Sequence, residues 1–206
     1  MGGCSLENVR VLLAEDEPFG RLGLKTALES LGHTVVAEAE NGDDALRLAR
    51  SERPDIAVLD IRMPGIDGLE VARILNEEAI APALIVSAYS DQEYIRRSTE
   101  SGCLYYLIKP VRPEDLRPAI AITLTLSRQM TGLREEVRRA TEALETRRLV
   151  ERAKGMLVER YCLKEHEALR HLQQKSMATR RPLREVAEAV IRRFVGPRTD
   201  EHHDAG

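Results

Sequence analysis

Residues 54–68, with the sequence PDIAVLDIRMPGIDG, constrain the fold of this chain more than any other stretch. The apolar run at 56–59 lies between turn residues, which is typical of a strand buried on both faces of a parallel sheet. The run ends in Asp60, and because a carboxylate is costly inside a sheet, we expect Asp60 at the strand's carboxyl end, facing a crevice. Pro64-Gly65 then breaks the chain, and Asp67 is expected to cap a new helix.

Further apolar runs alternate with helical stretches on either side of this strand. The sequence predicts strands at 9–14, 34–39, 56–59, 82–87 and 104–108. It predicts helices at 18–30, 43–50, 69–75 and 92–100. The buried face of the first is expected to consist of Leu22, Leu24, Ala27, Leu28 and Leu31. This alternation predicts an α/β fold with a five-stranded, doubly wound parallel sheet.

The residues after Pro113 have a different pattern, without further predicted strands. Apolar residues from Leu126 to Leu144 recur at alternating intervals of four and three, which is typical of a heptad seam. We expect this seam to pack either on its own domain or against a second copy of the chain. Two shorter helices follow, at 165–177 and from Pro182 onward, and with the long helix they can bury a small three-helix core.

Charge is distributed unevenly between these two parts of the chain. Residues 1–127 contain 13 basic and 21 acidic residues, a net charge of −8, whereas residues 128–197 contain 17 and 10, a net charge of +7. An acidic first part and a basic second part indicate two separate tasks, with a polyanion as a candidate partner for the second.

Several polar residues follow the predicted strands closely. Glu15 and Asp16 follow the first strand, Asp60 the third and Lys109 the fifth, while Ser87 ends the fourth. Because the carboxyl ends of parallel strands lie at one edge of a sheet, these side chains are expected to converge. Three carboxylates repel one another unless a cation joins them, and oxygen ligands suit Mg²⁺. With Mg²⁺ and Lys109 offsetting its charge, Asp60 can attack a phosphoryl group, whose oxygens Lys109 and Ser87 would then hold.

These residues, in this order on five strands, resemble the receiver domain of bacterial two-component response regulators, over about residues 8–125. The resemblance implies a flavodoxin-like fold and a phosphoacceptor, Asp60, that takes phosphate from a sensor histidine kinase. It also implies which atoms hold Mg²⁺: the side chains of Glu15, Asp16 and Asp60 and the backbone carbonyl of Arg62.

The same resemblance implies a conformational switch. Ser87 and Tyr106 match the family's switch pair, a hydroxyl that moves toward the phosphate and an aromatic ring that follows it inward. Tyr105 points to the opposite face of its strand and fits this role less well. The alternative is that Tyr106 is simply a core residue.

The second part has many cations that its short helices cannot bury, so they must lie outside. One interpretation is a solvated face with helix salt bridges, such as Glu151 with Arg148. The spacing also resembles the ANTAR module, an RNA-binding transcription antitermination domain, at Arg147, Ala153-Lys154-Gly155, Leu157, Ala168, Met177 and Val186-Ala187. This resemblance implies that two copies of the chain, a homodimer, bind two small RNA hairpins and prevent a terminator from forming, so that RNA polymerase reads on.

The residues expected to contact RNA phosphates or bases are Arg147, Arg148, Arg152, Lys154, Gly155 and Arg181. Gly155 lowers the stability of a helix, and close approach of RNA or of a neighbouring helix would explain its presence. The predicted organisation is a receiver domain at 8–125, a connecting coiled-coil helix at 126–143, an ANTAR domain at 144–196 and a disordered tail at 197–206.

Two other functions compete with this interpretation. A DNA-binding response regulator would need a helix-turn-helix with a recognition helix, which the sequence does not show clearly. A receiver coupled to a protein-interaction bundle would bind no RNA. Residues 126–196 contain no convergent acids, metal ligands or glycine-rich phosphate loop, so we expect no enzyme activity beyond self-phosphorylation and self-dephosphorylation at Asp60.

The sequence also predicts a cellular setting. Cys4, Cys103 and Cys162 lie too far apart for a disulfide framework or metal-ligand spacing, which favours a reduced, cytoplasmic environment. No apolar run approaches the length of about 20 residues that a membrane helix needs, and no secretory signal is evident.

Overall fold

A computed structural model of the chain describes residues 8–88, 96 and 101–195. The chain divides into two compact units, with the boundary between Gly132 and Leu133. The strands are β1 (Arg10–Ala14), β2 (Thr34–Ala39), β3 (Ile56–Leu59), β4 (Ala83–Ser87) and β5 (Tyr105–Ile108). The helices are α1 (Pro18–Ser30), α2 (Gly42–Glu52), α3 (Gly68–Glu77), α4 (Pro113–Tyr161), α5 (Glu165–Thr179) and α6 (Leu183–Val195).

The first unit is built on a five-stranded sheet, as the sequence predicts. The strand order is β2-β1-β3-β4-β5, and every neighbouring pair is parallel. Alternate residues of each strand enter two separate cores, because successive side chains point to opposite faces. Leu12 and Leu59 lie in one core, whereas Leu13 and Val58 lie in the other. The predicted α/β fold is therefore confirmed.

Local signals set the ends of several helices. Asp67 caps α3 as expected, because its carboxylate accepts a hydrogen bond of 2.8 Å from the amide of Glu70. Asn41 caps α2 in the same way, through the amide of Asp44 at 2.8 Å. Gly32 follows α1 with a φ of +85°, a conformation that glycine adopts readily. The predicted helix at 92–100 lies outside the described residues except for Arg96, and the predicted tail at 197–206 lies outside them altogether.

One prediction for α1 is wrong. Leu22 was expected on the buried face of this helix, but it is 61% exposed. Leu24 and Leu28, which belong to the same predicted face, are buried and lie one helical turn apart. Phe19 lies one turn before Leu22 and is 83% exposed, so α1 presents an apolar outer surface.

Helix α4 is continuous over 49 residues and runs past the boundary between the units. It joins the predicted end of the first domain, the connecting segment and the start of the second domain in one helix. The heptad residues Leu133, Val137 and Leu144 are exposed, as are Leu126 and Met130. Within the part of the chain that the structure describes, the seam therefore does not pack on its own domain.

The second unit has a small apolar core of its own. Val150, Ala153 and Leu157 of α4 pack against Ala168 and Leu172 of α5. The face of α6 that completes this core consists of Val186, Ala187 and Val190. This is the three-helix arrangement that the sequence predicts.

Candidate functional site

A charged cluster lies at the carboxyl edge of the sheet in the first unit. Lys109, which follows β5, donates hydrogen bonds to Glu15 Oε2 at 2.5 Å and to Asp60 Oδ2 at 2.9 Å. These residues are 94 and 49 positions away from Lys109 along the chain, so only the parallel topology brings them together. Glu15 and Asp60 are buried, while Asp16 is exposed at the mouth of the pocket.

Backbone contacts hold Asp60 in a fixed position. Its amide donates to the carbonyl of Ala14 at 2.9 Å, and its own Oδ1 accepts a bond of 2.7 Å from the amide of Ile61. Gly68, at the start of α3, lies so close that a Cβ there would meet the carbonyl oxygen of Asp60 at 1.9 Å. The loop between β3 and α3 therefore closes tightly over the base of the pocket.

Burial and pairing shift the acid–base properties of the cluster. Burial raises the pKa of Glu15, a change that its hydrogen bond to Lys109 opposes. Burial alone would lower the pKa of Lys109, but the hydrogen bonds to Glu15 and Asp60 outweigh it, so the pKa of Lys109 is raised. Lys109 is therefore fully charged at neutral pH and offsets the carboxylates around it.

The carboxylates also form a suitable metal site. One oxygen atom each from Glu15, Asp16 and Asp60 lies within 4.8 Å of the others. Two oxygens bound to one Mg²⁺ at about 2.1 Å can be at most about 4.2 Å apart, so small side-chain movements suffice to bring all three into contact with one ion. Because the donors are all oxygen and one faces solvent, the set fits Mg²⁺, which retains several waters.

The remaining predicted residues of the pocket lie on adjoining elements. Ser87 is completely buried at the end of β4, and its carbonyl accepts a bond of 2.8 Å from the amide of Lys109. Tyr106 is half-buried and packs on one core, whereas Tyr105 packs on the other, as strand alternation requires. Arg62 lies in the loop two residues after Asp60 and is exposed. The switch role of Ser87 and Tyr106 stays a prediction.

One residue that supports the pocket was not predicted from the sequence. Arg21 of α1 donates a bond of 2.7 Å to the carbonyl of Glu15 and another of 2.7 Å to the carboxylate of Glu40. It thereby fixes the turn between β1 and α1, where two of the three pocket acids lie. The signal that could have identified it is an arginine in the first turn of a helix that begins directly after a run of three acidic residues.

The predicted RNA-contacting arginines lie on the surface of the second unit. Arg148 and Arg152 share the outward face of α4 with Gly155, opposite the core, whereas Arg147 is exposed on the flank of the helix. Within the described chain, the side chains of these arginines and of Arg181 have no acidic partner. A Cβ at Gly155 would meet no atom within 4 Å, so no neighbouring helix of the described chain accounts for this glycine.

Lys154 has a different environment from these arginines. Its ammonium group contacts Glu151 at 2.6 Å and Glu165 at 3.2 Å, and its side chain is only 15% exposed. The hydrogen bonds to these acids raise the pKa of Lys154. Because Glu165 begins α5, the contact ties α4 to α5. Glu151 therefore pairs with Lys154 rather than with Arg148, the pair that the solvated-face interpretation offered as an example.

Two family models match the chain in the order that the sequence predicts. Residues 11–121 match the response regulator receiver domain, and residues 138–191 match the ANTAR domain. The transcriptional regulatory protein PdtaR of Mycobacterium tuberculosis is 37% identical over 92% of this chain and 92% of its own length. The positive alginate biosynthesis regulatory protein of Pseudomonas aeruginosa is 43% identical over 54% of this chain and 46% of its own.

Solved structures of response regulators resemble a little more than half of the chain. The receiver domain of the response regulator NarL from Mycobacterium tuberculosis covers 58% of this chain and 98% of its own, at 32% identity and a TM-score of 0.55. A LuxR-family response regulator from Aurantimonas sp. covers 58% and 86%, at 33% identity and a TM-score of 0.54. Among the described residues, the structure contains no helix with the length and hydropathy that a membrane span requires. The chain belongs to the response regulators, as a protein that joins a receiver domain to a carboxyl-terminal ANTAR domain.

Proposed function

We propose that this chain is a phosphorylation-controlled regulator that binds RNA hairpins and promotes transcription antitermination. The observation that carries the proposal is the pairing of Asp60 with Lys109 beside two further acids, in a chain whose second unit leaves several arginines unpaired. The similarity to PdtaR over nearly the whole chain supports a role in transcription. The receiver domain implies a histidine kinase as phosphate donor, and the ANTAR domain implies RNA as the ligand.

In the proposed phosphorylation, a carboxylate oxygen of Asp60 attacks phosphorus and forms an acyl phosphate, while the bond from phosphorus to the donor's imidazole nitrogen breaks. Lys109 leaves its carboxylate partners and donates hydrogen bonds to the phosphoryl oxygens. The hydroxyl of Ser87 supplies another donor as it moves toward the phosphate, and Tyr106 follows it. Mg²⁺, when held by Glu15, Asp16, Asp60 and the carbonyl of Arg62, would offset the negative charge of these oxygens. Apart from this transfer and its reversal by water, we propose no enzyme activity.

The outer surface of α1 supports a protein rather than a small molecule as the physiological donor. Phe19 and Leu22 are exposed on consecutive turns, and α1 begins two residues after Asp16. A donor that presents a phosphohistidine at the pocket can therefore cover these side chains at the same time. Replacing Phe19 by Ala should slow transfer from a histidine kinase severalfold and leave labelling by acetyl phosphate unchanged, since acetyl phosphate is too small to reach α1.

The exposed seam of α4 supports a homodimer as the active form. Leu133, Val137 and Leu144 occupy heptad positions, and the intervening Glu135 and Arg138 pair within their own helix. A second copy of α4 would bury this stripe. We propose that phosphate on Asp60 favours this pairing, which places two basic surfaces within reach of one RNA.

Unpaired arginines on the second unit support RNA as its ligand. Phosphates would replace the counterions around Arg147, Arg148, Arg152 and Arg181, and the release of those ions favours binding. Lys154 is already neutralised by two carboxylates, so we assign it a role in fixing α5 against α4. Binding of this kind to a hairpin that excludes a terminator would let RNA polymerase continue.

The test compares the chain with its Asp60→Asn variant, using acetyl phosphate and Mg²⁺ followed by recovery of bound RNA from cells. We expect full labelling and enrichment of hairpin RNA with the original chain, and loss of labelling with the variant. Labelling of Asp60→Asn at the original level would overturn the phosphoacceptor assignment. Preferential recovery of duplex DNA, or of no nucleic acid, would instead favour a DNA-binding regulator or a protein-interaction output.

A further inference from the structure

The outward face of α5 has an unusual composition. Opposite its buried residues Ala168 and Leu172, it carries five exposed side chains, which we call the α5 face: His166, Arg170, Gln173, Gln174 and Met177. Within the described chain, none of these side chains has a hydrogen bond or an ion pair. Met177 is 79% exposed, although it is apolar. Within the described chain, these side chains therefore add no hydrogen bond or ion pair to the second unit.

The segment that contains most of the α5 face and the turn after it has no acidic residues. Residues 168–184 contain five Lys and Arg and no Asp or Glu. The acids of α5, Glu165 and Glu167, lie in its first turn, where Glu165 contacts Lys154 and Glu167 accepts a bond from the amide of Lys164. A face that is free of negative charge over its whole length suits a polyanionic partner.

The chemistry of the α5 face suits bases better than phosphates. A glutamine amide offers a donor and an acceptor side by side, which matches the hydrogen-bonding edge of a base. Arginine and methionine provide flat or polarizable surfaces on which an unpaired base can lie. From His166 to Met177 the face is about 16 Å long, the length of roughly five stacked bases.

The end of α5 adds two further positive charges next to the α5 face. Arg180, with a φ of +54°, ends the helix, and Arg181 donates its amide to the carbonyl of Ser176 at 3.2 Å. The hydroxyl of Ser176 donates back to the carbonyl of Arg181 at 2.6 Å. These bonds fix the turn, so Arg180 and Arg181 lie at a defined position at the carboxyl end of the α5 face. They can hold the backbone of an RNA whose bases lie along the helix.

We propose that the α5 face reads the unpaired bases in the apical loop of the RNA hairpin, and that the arginines of α4 bind phosphates without reading sequence. Single-stranded loops are the part of RNA whose base edges are open to side chains, because the deep groove of an RNA duplex excludes them. This inference rests on the proposed RNA-binding function and adds to it which helix determines loop sequence.

The experiment uses the full chain, phosphorylated with acetyl phosphate, and a pool of hairpins with one stem and a randomised apical loop. The best enriched hairpin is then compared with the same stem closed by a uridine loop, by fluorescence anisotropy. We expect the double variant Gln173→Ala/Gln174→Ala to lose about tenfold or more of the preference for the selected loop, with weak binding to the uridine loop unchanged. Gln129→Ala, the same change at an exposed position of α4 in the first unit, should retain the preference.

Arg152→Ala provides the contrast within the second unit. It should weaken binding to both hairpins by the same factor, because a phosphate contact does not depend on the base. Full loop preference in the double glutamine variant, with its helical circular dichroism intact, would overturn this inference alone. Failure of the original chain to enrich any hairpin would overturn the proposed RNA binding, and this inference with it.

Discussion

The two units of this chain differ in the environment of the charged side chains that form their candidate sites. In the first unit, Glu15 and Asp60 are buried and paired with Lys109, so one fixed cation already offsets part of the negative charge of the pocket before any ligand arrives. In the second unit, Arg147 and Arg152 extend from α4 without acidic partners in the described chain. The difference indicates that a site for one small ion or phosphoryl group holds its charged side chains in place by hydrogen bonds before the ligand binds. A surface for a polyanion is built by leaving charges solvated until the ligand replaces their counterions.

Glycines show the same contrast. A Cβ at Gly68 would lie 1.9 Å from the carbonyl oxygen of Asp60, whereas a Cβ at Gly155 would meet nothing within 4 Å. The first glycine is required by the fold, because backbone occupies the space where a side chain would lie. The second is not required by any packing in the described chain, so it leaves room for a ligand to approach the backbone of α4.

The largest effect is expected for Gly68→Ala. The added methyl group overlaps backbone atoms that cannot move without displacing Asp60, so we expect a loss of about 3 kcal/mol or more in the free energy of unfolding of the first unit. Urea unfolding followed by circular dichroism measures it. Gly23→Ala is the matched control, since a Cβ there meets nothing within 4 Å, and it should stabilise α1 slightly. Equal stability of the two variants would contradict the packing described around Asp60.

Lys109→Ala should have the next largest effect. It leaves Glu15 and Asp60 close together without a cation, and because the lysine side chain is 24% exposed, water can enter and limit the loss to about 1–3 kcal/mol. Saturating Mg²⁺ should restore much of this stability by replacing the missing positive charge, whereas a chelator should not. Lys25→Ala, which removes an exposed partner of Glu38, serves as the control and should change little. A variant that Mg²⁺ does not stabilise would contradict the metal site.

The pocket could be predicted from sequence because few alternatives exist for its parts. Each acid, and Lys109, directly follows an apolar run, and once the runs are parallel strands their ends must share an edge. The exposure of Leu22 could have been predicted, since at 100° per residue Leu22 lies on nearly the opposite side of α1 from Leu24 and Leu28. The pairing of Lys154 with Glu165 depends on how α5 folds back onto α4, which no local pattern in either helix encodes.

A smaller effect is expected on RNA binding, where replacing Arg152 and replacing Lys154 should have different consequences. Arg152→Ala removes a cation that is free to meet a phosphate, so hairpin affinity should fall about threefold to tenfold at 0.1 M salt, and the slope of log K against log salt should decrease by about 1. Lys154→Ala removes a cation already paired with Glu151 and Glu165, and the slope should stay unchanged. Anisotropy titrations at several salt concentrations measure both. Equal decreases in slope would show that Lys154 leaves its carboxylates to bind RNA.

The smallest effect, Gly155→Ala, tests whether the open glycine is reserved for the ligand. Without RNA the substitution should stabilise the second unit by about 1 kcal/mol, because alanine favours the helix and meets no atom of the described chain. With RNA it should weaken hairpin binding severalfold, because the methyl group lies on the same face as Arg148 and Arg152 and keeps the nucleic acid from the helix backbone.

Gly132→Ala is a close control, since it lies in the same helix and also meets nothing within 4 Å, but precedes the second unit. It should bring the same gain in stability and leave hairpin binding intact. If both glycine variants stabilise the chain and neither weakens binding, the arginine face of α4 does not approach RNA closely, and its charges act only at a distance.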